Sequence, residues 1–246
     1  MCQWMSSFAR RMNLALALLC ISMFSLASAH AGTISTVFFE IDVESSLGSA
    51  SWSIDSNDPD VIYDPVNHRW SWAGSTVPLG NIATLNQANL TVVGDPQIAM
   101  GFALTAGAAD TTVTISSATL NFNALMNPTG AATAGLTLTQ TAGASNAFLT
   151  GLAGNSGSAY AAYYNVPPGT VFGEYVSGLS TTTTTSGSGS SGGMVAIPGA
   201  VSSMQATFSF VLSAGDQASG TSNFLIVPEP AAIALLACGV LVIRRR

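Results

Sequence analysis

Val37-Phe38-Phe39-Glu40-Ile41-Asp42-Val43-Glu44 decides the fold class. Val37, Phe39, Ile41 and Val43 share one parity, and Phe38, Glu40, Asp42 and Glu44 the other. A strand sends successive side chains to opposite faces, so the stretch reads as a half-buried β-strand with an acidic outer face. The same period of two recurs along the chain. Met100, Phe102 and Leu104 follow it, as do Val113 and Ile115, Leu120 and Phe122, Leu136 and Leu138, and Phe208, Phe210 and Leu212. Turn signals stand between these runs: Gly94-Asp95-Pro96, Gly107 to Asp110, Asn127-Pro128-Thr129-Gly130 and Pro167-Pro168-Gly169. Strands at roughly ten-residue spacing, with no amphipathic helical pattern between them, predict an all-β fold. The expectation is a single antiparallel β-sandwich, jelly-roll or Ig-like, over residues 32–226. Ser180 to Gly193, a run of Thr, Ser and Gly, is expected as a flexible surface loop within it.

The two ends have a different character. Arg10-Arg11, the apolar run Leu14 to Leu26 and the small residues that follow read as a secretory signal peptide over residues 1–31. Ala29 and Ala31 are the candidate cleavage positions. The other end carries Val227-Pro228-Glu229-Pro230, then a charge-free segment from Ala231 to Ile243, then Arg244, Arg245 and Arg246. Prolines suit the first turn of a helix, and the terminal arginines suit its C-terminal dipole. The segment 231–243 is therefore expected as a C-terminal apolar, transmembrane helix. At ~1.5 Å per residue its thirteen residues rise about 20 Å, short of a ~30 Å hydrocarbon core. That length suits a sorting signal better than a permanent anchor. The positive-inside rule holds the arginines in the cytoplasm and places everything before Val227 outside.

Motif, apolar segment and terminal arginines together resemble the PEP-CTERM sorting tail. The resemblance covers about a tenth of the chain. It implies recognition by exosortase, an integral-membrane enzyme that cuts near the Pro-Glu-Pro and releases or re-anchors its substrate. It further implies transient anchoring in the inner membrane, then the cell surface or the extracellular matrix, in bacteria that make exopolysaccharide and biofilm. It makes the Ser/Thr run a candidate for glycosylation.

Composition narrows the function of the exported part. Cys2, Cys20 and Cys238 all lie in the targeting segments, so the domain has no disulfide to staple it. The chain has no lysine, and Arg69 is the one cation of residues 32–226. Set against eleven acids, it leaves a net charge of −10 there, which excludes nucleic acid as a partner.

Catalytic groups are few. With the signal removed, His68 is the one histidine, and no Gly-x-Ser-x-Gly elbow accompanies it. An enzyme is not expected. Asp55, Asn57, Asp58 and Asp60 form the densest acidic cluster. It reads first as a solvated Asx-turn and second as a Ca²⁺ site, because oxygen ligands on a turn are what Ca²⁺ takes; no other cofactor is expected. Trp70 and Trp72 share a strand face and read either as core or as an aromatic platform for a sugar ring. Three functions follow in order: a structural or adhesive component of an exopolysaccharide matrix, a carbohydrate-binding module using Trp70 and Trp72, and an exported hydrolase.

Overall fold

A computed structural model describes residues 32–141 and 146–228. These residues contain no helix and form two antiparallel sheets. Sheet I begins with β1 (Thr33–Ile34), β2 (Val37–Ser45) and β3 (Gly48–Asp55). Sheet II takes β4 (Ile62–Asp64), β5 (Arg69–Gly74), β6 (Val77–Leu79), β7 (Ala83–Val93) and β8 (Gln97–Ala106). The chain then crosses repeatedly. β9 (Thr111–Ser117) and β10 (Leu120–Met126) lie in sheet I, and β11 (Thr129–Thr139) lies in sheet II. β12 (Ala147–Gly151), β13 (Tyr160–Tyr164), β14 (Thr170–Tyr175) and β15 (Leu179–Thr181) return to sheet I. β16 (Thr184–Ser190) and β17 (Val195–Ala196) join sheet II, β18 (Ala200–Leu212) joins sheet I, and β19 (Gln217–Val227) joins sheet II.

The last two strands hold the sheets together. In sheet I, β18 pairs with β9 and β10 along one edge and with β12 and β13 along the other. In sheet II, β19 runs between β8 and β11. Both alternate as a buried strand should. Ala206, Phe208, Phe210 and Leu212 of β18 and Ala218, Phe224 and Ile226 of β19 are buried. Phe102 of sheet II meets Phe208 of sheet I edge-on, with ring centroids 5.0 Å apart. Burying each such side chain contributes about 1.5–3 kcal/mol, which is how a cysteine-free domain holds its two layers. Gly220 has no room for a Cβ, which would lie 2.5 Å from Phe102 and 2.8 Å from Leu136. At the corner between β18 and β19, buried Asp216 accepts hydrogen bonds from the Ser213 hydroxyl (2.5 Å) and the Thr141 amide (2.9 Å).

The sandwich bears out the all-β reading, with two local differences. Phe38 has the acidic parity of β2 and is nevertheless fully buried, because the register with β3 shifts between Val37 and Phe39. The expected flexible loop over 180–193 is corrected. Residues 184–190 form β16 and pair with Thr133–Thr139 of β11 without a register shift. The physical reason lies in the glycines. A Cβ on Gly187 would come 2.9 Å from Leu179, and one on Gly189 would come 3.0 Å from Tyr175. Ser-Gly-Ser-Gly-Ser is thus a period of two, with serines outward and glycines beneath large side chains. The signal peptide and the apolar segment 231–243 lie outside the described residues.

Candidate functional site

Trp70 and Trp72 sit on β5 opposite Val92 and Leu90 of β7, both fully buried. They share a face, as the spacing requires, and that face is the inner one. Trp72 is 6% exposed, with its ring centroid 5.6 Å from Trp52 of β3 and 5.3 Å from Phe39. The three rings seal the side of the sandwich where β3 of sheet I hands over to β4 of sheet II. The sugar-platform reading of Trp72 is therefore corrected: it is core. Trp70 is half-buried and stacks on Tyr63 of β4 at 4.7 Å. Tyr63 remains 45% exposed, and its hydroxyl shares a 3.2 Å hydrogen bond with His68 Nδ1.

The acidic cluster is taken up by turns. Asp58 Oδ1 accepts from the Asp60 amide at 3.0 Å. Asp64 accepts from the Asn67 side chain at 2.6 Å and from the Val66 and Asn67 amides. Those donors, the Asn67 side chain first, hold the Asp64 carboxyl below its ordinary value. Among the described residues no three His, Cys, Asp or Glu side chains converge where they could hold a metal. The Ca²⁺ reading of Asp55, Asn57, Asp58 and Asp60 gives way to the Asx-turn, because their three carboxylates do not converge and Asp58 accepts from the Asp60 amide. A similar latch lies elsewhere. Glu174 of β14 accepts from the Asn155 (2.6 Å) and Ser156 (2.8 Å) amides, pinning the excursion between β12 and β13. The Ser156 hydroxyl and these amides lower its pKa. Of the sorting motif, Val227 ends β19 and Pro228 is exposed, while Glu229, Pro230, Arg244, Arg245 and Arg246 lie outside the described residues, as do Ala29 and Ala31.

The concavity that stands out is one the linear pattern did not flag. A groove of about 480 Å³ crosses the outer face of sheet II, from β7 over β8, β19 and β11 to β16. At ~4.8 Å per strand spacing, those five strands span roughly 19 Å. Its floor is made of small residues: Gly101 and Ala103 on β8, Ser219 and Thr221 on β19, and Gly135 on β11. Polar groups stand at the ends, the longer Gln87 and Asn89 at one, Ser186 and Ser188 at the other. Gly101 lets the Asn89 amide fold onto the floor, since a Cβ there would lie 2.9 Å from Asn89 Nδ2. Thr137 and Ser186 hydroxyls bond across the β11–β16 pair at 3.0 Å. No lining residue is charged. The groove therefore offers hydroxyl and amide donors and acceptors without a net charge. The signal in the sequence was the polar parity of β8, β11 and β19, where Gly, Ala, Ser and Thr recur at alternate positions.

The outer face of sheet I differs. Its depression of about 400 Å³ is lined by Asp42 and Glu44 of β2, Ser49 and Ser51 of β3, and Thr112 and Thr114 of β9. One face of the sandwich is thus acidic and the other neutral.

Fold and site define a two-sheet, all-β sandwich with a neutral polar groove on one face. No family model matches the chain, and no curated protein matches it in sequence. Among solved structures it is similar to that of infectious bursal disease virus Gx strain, with 14% identity, 82% of this chain and 58% of that chain covered, and a TM-score of 0.23. It is also similar to a mutant VP2 protein of infectious bursal disease virus in derived T=1 particles, with 13% identity, 82% and 77% covered, and a TM-score of 0.15. Neither likeness bears on function.

Proposed function

We propose that this chain is an exported surface or extracellular-matrix protein, a structural or adhesive component of an exopolysaccharide matrix that an exosortase processes at its tail. The observation that supports this reading is where β19 ends. β19 keeps its pairing with β11 through Thr129 and Val227, and Pro228 directly after it is exposed. Among the described residues every strand lies before the Pro-Glu-Pro, so a membrane enzyme could cut there and leave those strands in place. The repeated crossings between sheets favour the jelly-roll over the Ig-like variety of sandwich.

The groove favours the second reading, a carbohydrate-binding role, moved from the tryptophans to sheet II. Neutral sugars present hydroxyls, and an uncharged array of hydroxyls and amides can match them without stranding a charge. The acidic face of sheet I would repel an anionic polymer, so the preferred ligand is a neutral glycan. No residue is assigned a catalytic role.

Retention on insoluble neutral polysaccharides tests the reading. Gly135→Leu places bulk on the groove floor, where a Cβ meets nothing closer than 3.9 Å, so the fold should survive. Folded Gly135→Leu and Asn89→Ala proteins should elute early while Trp70→Ala is retained. Equal retention of parent and groove variants would remove the groove from the account.

A further inference from the structure

We infer that β16 is a self-pairing edge, to which a second copy of this chain adds antiparallel, joining two copies of sheet II into one. Among the described residues no strand pairs the outer edge of β16. An edge strand presents unpaired N–H and C=O groups, and proteins ordinarily blunt such a row with charge, proline, bulges or shortness. β16 has none of these. It runs seven residues, Thr184–Ser190, without a charge or a proline, and keeps register with β11 throughout. Gly187 and Gly189 are partly exposed even though Leu179 and Tyr175 cover one side of them.

The other sheet ends are shorter, bulged or charged: β1 has two residues, and β10 behind it shifts register with β18 between Asn121 and Leu125. β4, at the far edge of sheet II, has three residues, ends in Asp64 and is followed by Pro65. β3 at the edge of sheet I carries Asp55 and lies beside Glu40, Asp42 and Glu44 of β2. Two copies meeting there would set like charges together. The β14–β15 edge is interrupted between Tyr175 and Leu179 and carries Glu174. The acids from Glu40 to Asp64 all lie on β2 to β4 or between them, at the side of the sandwich away from β16. Seven of the eleven acids of residues 32–226 thus lie away from this edge, and Glu174, on β14 beside β16, is tied to the Asn155 and Ser156 amides, which lowers the repulsion between two copies meeting here.

The local sequence suits a two-fold pairing. Ser186-Gly187-Ser188 reads the same in both directions, so an axis at Gly187 sets Ser186 of one copy opposite Ser188 of the other. Such an isologous interface closes at two subunits. Ser186 and Ser188 also form the end of the groove, so pairing would run two grooves into one floor ten strands wide. The meaning of that joined floor rests on the glycan reading; the pairing does not. A bivalent protein of this kind would hold a polymer by avidity.

Amide hydrogen exchange of the full chain, without glycan and at two protein concentrations, tests the pairing, with sedimentation velocity alongside. Amides across 184–190 should exchange roughly tenfold more slowly in the concentrated sample, and a species of two 25.0 kDa chains should appear. S186K/S188K places charges on the edge and should weaken association at least roughly tenfold, whereas S49K/S51K on β3 should leave it unchanged. Exchange over 184–190 that ignores concentration would overturn the proposal. So would protection over Gly48–Asp55 instead, or a dimer that survives in a folded S186K/S188K protein. If that variant does not fold, the exchange of the unmodified chain decides alone. Because no glycan is present, failure here leaves the groove reading standing.

Discussion

Trp72→Ala should unfold this protein at a much lower temperature without a specific effect on ligand. The indole is 6% exposed and contacts the rings of Trp52 and Phe39 at 5.6 and 5.3 Å. Removing a buried aromatic costs about 3–5 kcal/mol, as lost transfer energy plus the cavity left behind. The upper half of that range applies, because Phe39 is fully buried and Trp52 and Trp72 bridge the two sheets, so the site has little freedom to collapse. For a domain of this size each kcal/mol lowers Tm by about 2–4 °C, giving a drop of roughly 8–20 °C. Trp70→Ala removes a half-buried ring stacked on one neighbour, Tyr63, and should cost about 1–2 kcal/mol. Thermal unfolding followed by circular dichroism, with retention on polysaccharide measured well below both transitions, separates packing from binding. A Trp72→Ala protein as stable as the parent, or one that stays folded and loses retention while Trp70→Ala keeps it, would refute the assignment of Trp72 to the core.

Three further outcomes follow. Tyr160→Phe should change stability by no more than about 1 kcal/mol, because the buried Tyr160 hydroxyl faces the buried Ser222 hydroxyl without a hydrogen bond of good geometry, and burial pushes its pKa far up; a loss above about 1 kcal/mol in urea unfolding would show that the two hydroxyls are bonded. Glu174 titrates below its ordinary 4.5, so the stability it lends is present above that value and disappears as pH falls through the lower folded one; amide exchange over 152–159, corrected for intrinsic rates, should rise at pH 3 relative to pH 6, and Glu174→Gln should be open at both. Gly220→Ala forces a methyl against Phe102 and Leu136 and should cost about 1–3 kcal/mol in the same urea assay.

What the sequence made legible was whatever depends on parity. The alternation of β2, β8, β9, β18 and their like follows from a two-residue period, and hydrophobic side chains reveal it directly. β16 obeys the same period but writes it in serine and glycine, which look like low complexity until Leu179 and Tyr175 are seen over the glycines. Trp70 and Trp72 show the limit of the rule: spacing says they share a face, but only the pairing of β5 with Leu90 and Val92 of β7 says which. The acidic run at Asp55–Asp60 had two readings because composition does not reveal hydrogen bonds, and Asp58 turned out to bind its own loop. The groove was hidden because five strands far apart in the chain supply it, and each contributes residues too small to attract notice.

Intact-mass spectrometry of the exported protein from the producing cell tests the central claim most directly. If the chain is delivered through its signal peptide and processed at its tail, the major species begins near Gly32 and ends near Pro230. A major species that still carries Arg244, Arg245 and Arg246 would contradict it.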